Sequence, residues 1–281
     1  MTMNLTWPAE TPDQTPTRLD ALLHHWLGQR AGAVAGKTLR TDQDLLRLIP
    51  RAYHARDISS ITPQDVMGIL GGLRARGLSE LSIRRYRSSL AQFFTWCSRS
   101  GLIVATPVHR TPLPAPIPAV IKPFTADELE SAWADWSSYS PVLADVMLVL
   151  ARTGLRWSEA RALCVADAEP GALNVTTAWS EGAAERPLPT GQVRRVPVVH
   201  RIRPIVQRLL AERDSDELLL TTSFGSQLHR TAVLRRLNWA ETGRGRRLHD
   251  LRHTAAYLWL SEGVSAEDVR TWMGPTRLAT A

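Results

Sequence analysis

At 281 residues with a hydrophobic share of 44%, the chain can build a sizeable core and most simply two domains. A formal net charge of +7 and a pI near 10.2 favour a polyanionic partner, nucleic acid first, although such charge serves solubility equally well. No apolar run approaches the ~18 residues of a membrane helix. Residues 1–14 lack the basic start and apolar middle of a signal peptide. Cys97 and Cys164 stand far apart in apolar surroundings, which reads as buried free thiols in a reducing cytoplasm and not as a disulfide framework or zinc site.

Residues 1–16 read as a flexible tail. From there Leu19, Leu22, Leu23 and Trp26 recur at helical spacing, as do Val66, Ile69, Leu70 and Leu73 behind the cap-like Thr62-Pro63. Gly71-Gly72 weakens that second helix near its end. A third places Ile83, Tyr86, Leu90, Phe93, Phe94 and Cys97 on one face over 82–98, and Gly101 ends it. The expectation for 17–106 is a bundle of about four helices. Arg84, Arg85 and Arg87 taken alone are a solvated helix face; beside nucleic acid they become a phosphate-tracking one. Pro107, Pro112, Pro114, Pro116, Pro118 and Pro123 then forbid a long helix or central strand, so 107–123 reads as an extended interdomain linker.

Thr125 followed by Asp127 and Glu128 opens a helix, with the acids in its first turn. Residues 141–152 read as a buried helix, broken by Gly154, and 158–164 as a further one. The period then changes. Residues 173–177 and the valine-rich 193–199 read as strands on either side of a turn-rich segment. Helical spacing returns over 202–212, 230–241, 251–262 and 266–272. The fold class is mainly α with a small antiparallel β-sheet.

The chemistry concentrates in His249-Asp250-Leu251-Arg252-His253-Thr254 and in Thr153-Gly154-Leu155-Arg156-Trp157-Ser158-Glu159. Guanidinium forks bind phosphate oxygens bidentately, and an imidazole gives or takes a proton, so two arginines and a histidine suit a phosphodiester. His249 and His253 also have metal-ligand spacing, but no glutamate stands between them as in H-E-x-x-H and no third ligand is evident. No metal or cofactor is expected. His253 alone reads as a side chain that hydrogen-bonds to backbone and orients the motif. Tyr257, one turn further on, reads as core.

In these motifs the chain resembles the tyrosine recombinases, or phage-type integrases, from about Leu19 to its end. The two arginine motifs, in this order around a β-hairpin, are the specific anchors, with Leu163 and Asp167 after the first. The segment 269–274 is similar to the helix leading into the family's Leu-Gly-His motif. Phe93, Trp96, Gly101 and Pro107 are similar to the last helix and exit of the family's core-binding domain. The resemblance implies an N-terminal helical core-binding (SAM-like) domain over 17–106 and a recombinase catalytic domain over 124–281. It implies that Arg156 and Arg252 clamp the scissile phosphate, that His249 is the acid or base, and that Glu159 and His253 support them. Duplex DNA is the implied partner, and a tetramer on DNA the implied assembly. Arg84, Arg85, Arg87, Arg194, Arg195, Arg230, Arg235 and Arg236 are its candidate contacts.

Three positions depart from the family. Pro189 stands where a hairpin lysine precedes the strand Thr190-Gly191-Gln192-Val193-Arg194-Arg195-Val196-Pro197, and lysine occurs only at Lys37 and Lys122. Arg194 or Arg195 could supply charge there but is a poor acid, with a pKa above ~12. Pro275 follows Gly274 where the family has histidine. The nucleophilic tyrosine falls beyond Thr280, so the chain reads as C-terminally truncated or degenerate. It is expected to bind DNA without cleaving it and to assemble weakly. The alternatives are a non-catalytic regulator or competitor of an intact recombinase and, in another class, an inert fragment or helical interaction module.

Overall fold

The computed structural model describes residues 17–110 and 120–275, apart from residues 35, 183, 190 and 212. The tail expected over 1–16 and most of the proline-rich segment lie outside the described residues. The chain divides into two compact units, Met1–Pro118 and Ala119–Ala281. Among the described residues no helix is long and apolar enough to cross a membrane.

The first unit contains α1 (Leu19–Arg30), α2 (Gly36–Leu48), the single turn α3 (Arg51–His54), α4 (Pro63–Ala75) and α5 (Glu80–Arg99). Pro63 sits at the first position of α4, where its missing N–H costs nothing. Thr62 and Asp65 exchange hydrogen bonds in a capping box. Gly71 and Gly72 do not end this helix, because Leu70 and Leu73 on either side are buried and hold it against the core. The stripe expected on α5 is the core of the unit, and Trp26 of α1 meets Phe93 edge-on at 5.6 Å. Cys97 is fully buried, which pushes its thiol up to about 12; Cys164 in the second unit is only half-buried, contrary to expectation.

The second unit begins with α6 (Ala126–Tyr139), α7 (Pro141–Thr153) and α8 (Trp157–Ala160). Strands β1 (Ala168–Glu169), β2 (Ala172–Val175), β3 (Thr177–Ala178), β4 (Arg186–Pro187) and β5 (Arg194–Pro197) follow. Then come α9 (Arg203–Ala211), α10 (Arg230–Arg236), α11 (Trp239–Thr242), α12 (Asp250–Ser261) and α13 (Ala266–Met273). Strands β1, β2 and β5 form one antiparallel sheet, with Leu173 opposite Val196 and Val175 opposite Arg194; β3 and β4 form a second pair. Helix α7 is buried nearly all round and packs between α6 and α12. Each of its fully buried Leu or Val side chains contributes about 1.5–3 kcal/mol relative to exposure.

The structure corrects three expectations here. Residues 230–241 are two helices. Leu237 and Trp239 are both buried, and two positions separated by two residues face opposite sides of a continuous helix. Asn238 resolves the conflict by adopting the left-handed conformation (φ 48°) between α10 and α11. The helix expected over 158–164 stops at Ala160, where the buried Arg161 donates to the carbonyls of Leu228 and Trp179 and to Gln227 Oε1. Tyr257 is not core: it is exposed on α12, eight residues and so about 12 Å along the axis from His249.

Candidate active site

Two helix ends and one buried arginine organise the site. Helix α7 ends at Gly154 in the left-handed conformation (φ 62°), and a Cβ there would stand 2.9 Å from Met273 Sδ and 3.3 Å from Ala255 Cβ. Only glycine satisfies both the backbone and the packing at this point. Helix α13 ends at Gly274, also at positive φ, with the Arg194 side chain against it. Arg252, on α12 and 2% exposed, reaches both ends: its Nη1 donates to the Gly154 carbonyl and its Nη2 to that of Met273. C-terminal carbonyls lack helical partners, so a guanidinium there answers their need and the negative ends of both helices.

Arg156 follows two residues after Gly154, at the head of α8. Its backbone N–H and its Nη1 donate to the two carboxylate oxygens of Glu159, at 2.7 and 2.6 Å. Glu159 is 1% exposed. From the other side Arg194 of β5 donates to the same carboxylate at 3.0 and 2.7 Å, and its Nε donates to the Trp272 carbonyl. Burial alone would raise the Glu159 pKa; the Arg194 and Arg156 guanidiniums outweigh it and hold the carboxyl at about 2. Arg252 lies close enough to feel both neighbours. Burial first, then the positive charges of Arg156 and Arg194, pull it down to about 9, so it remains cationic at neutral pH. Three guanidiniums thus converge where the described residues supply a single carboxylate, and such a cluster favours an anion.

His249 stands exposed at the residue before α12, and its ring meets His253 edge-to-face at 5.2 Å. Burial of part of the ring, then His253 and Arg252, lower its pKa, leaving it neutral and able to accept a proton at pH 7. His253 is lowered as well, chiefly by burial. His249, Arg252, Trp157 and Arg230 line a cavity of about 170 Å³ on the His249 side of Arg252.

Residues 122–281 match the phage integrase family, and 24–101 match the N-terminal SAM-like domain of phage integrases. The chain belongs to the phage integrase family. Among similar integrase-type proteins is tyrosine recombinase XerC of Chromohalobacter salexigens, 27% identical over 93% of this chain and 89% of the relative. XerD of Listeria monocytogenes is 23% identical over 91% and 89%. The fold is that of the Tn1549 transposon integrase in complex with a circular intermediate DNA, with a TM-score of 0.77, 19% identity, and coverage of 92% and 91%. It is also that of a lambda integrase dimer bound to a COC′ core site, with a TM-score of 0.70, 19% identity, and coverage of 92% and 95%.

Within this integrase fold Arg156, Glu159, Arg252, His249 and His253 come together as one group. Pro189 is exposed in the turn between β4 and β5, its carbonyl accepting the Gln192 N–H. At Pro275, where an integrase histidine was expected, a backbone carbonyl accepts from Arg156 Nη2 at 2.9 Å. The candidate DNA arginines divide. Arg194 is a correction: it is 8% exposed, and both its η nitrogens are turned inward to Glu159. The signal for this was its fixed place in the Thr-Gly-x-x-Arg-x-Val-Pro strand. Arg195 beside it is exposed and paired with Glu169 at 2.6 Å. Arg230, Arg235 and Arg236 are exposed along α10. In the first unit Arg85 is exposed, Arg87 is half-buried and donates to the Val108 carbonyl, and Arg84 is half-buried with Nε and Nη2 covered. Two residues escaped sequence reasoning altogether. Arg161 ties the β-hairpin to the segment before α10. Glu181 accepts from Trp157 Nε1 at 3.2 Å and from the Arg230 N–H at 2.5 Å, joining the head of α8 to the start of α10. Neither lies in a local pattern that marks it.

Proposed function

We propose that this chain is a site-specific DNA recombination protein of the tyrosine recombinase lineage, which binds duplex DNA and grips one phosphodiester between Arg156 and Arg252. The observation that carries this reading is the pairing of Arg156 and Arg194 on Glu159 with the cationic Arg252 beside them and His249 next to Arg252. Arg194 neutralises the carboxylate that aligns Arg156, and the charge of Arg252 is then directed to the phosphate. On a pentacoordinate phosphorus the two arginines stabilise the added negative charge, and His249 accepts or returns the proton of an attacking or leaving hydroxyl. Several similar structures are of integrases bound to DNA, including a lambda integrase tetramer bound to a Holliday junction. Duplex DNA is accordingly the partner, the first unit the core-binding domain, the second the catalytic-type domain, and the bacterial or phage-host cytoplasm the place of action.

The second reading, a DNA-binding regulator or competitor that does not cleave, is favoured by two positions. Pro189 offers no proton to a leaving 5′ oxygen, and the Pro275 carbonyl occupies an Arg156 donor where the family has a histidine. Both changes weaken the chemistry and leave the phosphate grip in place. Incubation with a nicked suicide duplex separates the readings. A salt-sensitive mobility shift with no detergent-resistant adduct supports a binder without cleavage; an adduct supports a working recombinase. Absence of any shift supports the inert helical module and overturns both. Assembly on DNA is expected to be weak, and a stable tetramer in sedimentation on a bound duplex would contradict that.

A further inference from the structure

Phe224 is 91% exposed, more than any other described aromatic side chain for which an exposure stands out. A lone exposed apolar residue is ordinary on a protein surface. This one is held out by a built turn. The Thr222 N–H donates to the Ser226 carbonyl at 2.9 Å and the Gly225 N–H to the Thr222 carbonyl at 3.0 Å. Thr222 Oγ1 accepts from the N–H groups of Phe224 and Ser226, and Gly225 takes the positive φ (71°) that closes the loop. Gln227 at its base is gripped by the buried Arg161, so the tip is fixed to the body of the unit.

The ring stands over a groove of about 850 Å³ that α10 shares with the start of α7. Arg235, Arg236 and His229 line that groove, and among the described residues no carboxylate does. Neither arginine forms an ion pair among the described residues. Arg230, at the other end of α10, lines the active-site cavity. Six residues of helix separate it from Arg236, about 9 Å, which is roughly the rise of three base pairs.

We propose that Phe224 is a DNA-contact residue, its ring packing on the deoxyribose and base edges of a duplex while Arg235 and Arg236 hold the flanking phosphates. The inference rests on the DNA-binding reading above and adds an apolar contact in a groove separate from the cavity beside the gripped phosphate. A duplex supplies both requirements of the groove, closely spaced negative charge and an apolar sugar wall. A second copy of this chain would have to bring carboxylates to Arg235 and Arg236.

The test is fluorescence anisotropy of a fluorescein-labelled duplex of mixed sequence, titrated with wild type, Phe224→Ser and the double variant Arg235→Gln/Arg236→Gln over a series of KCl concentrations. Phe224→Ser is expected to bind about tenfold more weakly with an unchanged salt slope, because an apolar contact releases no counterion. The arginine double variant is expected to lose close to two from that slope. Matching circular dichroism and melting of the serine variant exclude misfolding, since the ring supports nothing inside. Equal affinity of wild type and Phe224→Ser overturns the proposal. So does a serine variant that loses self-association in sedimentation without DNA while keeping its affinity, which assigns the ring to a second copy. A wild type with no salt-sensitive binding overturns the DNA-binding reading itself, and this inference with it.

Discussion

Replacing Glu159 with glutamine removes the carboxylate that Arg156 and Arg194 share. Its pKa of about 2 lies well below the ordinary glutamate value of 4.5, a difference worth roughly 3 kcal/mol of stability. The pKa is depressed, so this stability is fully present above pH 4.5 and is lost as pH falls through 2. About 1.5 kcal/mol of it has gone by pH 3.5. At neutral pH the variant also leaves the Arg194 charge, 8% exposed, without its partner, a loss of about 3–5 kcal/mol. Urea melts at pH 7 and pH 3.5 read both effects. Glu159→Gln is expected to be less stable by several kcal/mol at pH 7, with the gap narrowing by about 1.5 kcal/mol at pH 3.5. The double variant Glu159→Gln/Arg194→Met recovers part of the loss, because no buried charge is then left alone. A gap that stays constant over this range refutes the claim that Glu159 is held ionised by its two arginines.

The other expectations follow from single features. Gly154→Ala forces a Cβ into the left-handed conformation against Met273 and Ala255, and thermal melts should show a loss of about 2–4 kcal/mol. The depressed pKa of His249 means that its neutral form favours folding above pH 6.5, a contribution lost as pH falls below that value. A phosphate held beside it favours the protonated ring, so duplex affinity should rise as the solution is acidified from neutral pH, and His249→Gln should flatten that rise in anisotropy titrations. Cys97, pushed up to about 12 by burial, should resist thiol reagents at pH 8 until the protein is unfolded, while the half-buried Cys164 reacts first.

Much of the site was legible because its chemistry is compressed into short motifs. Gly154 and Arg156 lie within one turn of chain, as do His249 and Arg252, and the helix breaks around them carry their own signals. The strand of Arg194 was read with the wrong emphasis. Alternation from the buried Val196 and Val198 places Arg194 on the inner face and Val193 on the outer one, as observed; reading the arginine as a surface contact ignored that period. What stabilises a charge on the inner face is the Glu159 carboxylate, 35 residues away in sequence. Tyr257 failed in the opposite direction. The buried positions of α12, Asp250, Arg252, Thr254 and Ala256 among them, take about two-thirds of its circumference, and Tyr257 falls on the remaining face, which it shares with His249. The break at Asn238 depended on the core needing Leu237 and Trp239 at once, a tertiary demand that local helix propensity does not record.

The claim on which the rest depends is that the arginine cluster grips a DNA phosphate. Anisotropy of a labelled duplex across a salt series, comparing wild type with Arg156→Gln, tests it directly. Arg156 is partly exposed, and folding of the variant is checked by circular dichroism. The expected result is binding at least tenfold weaker with a salt slope shallower by about one, as for the loss of one phosphate contact. A correctly folded Arg156→Gln that binds with wild-type affinity and wild-type slope would contradict the account.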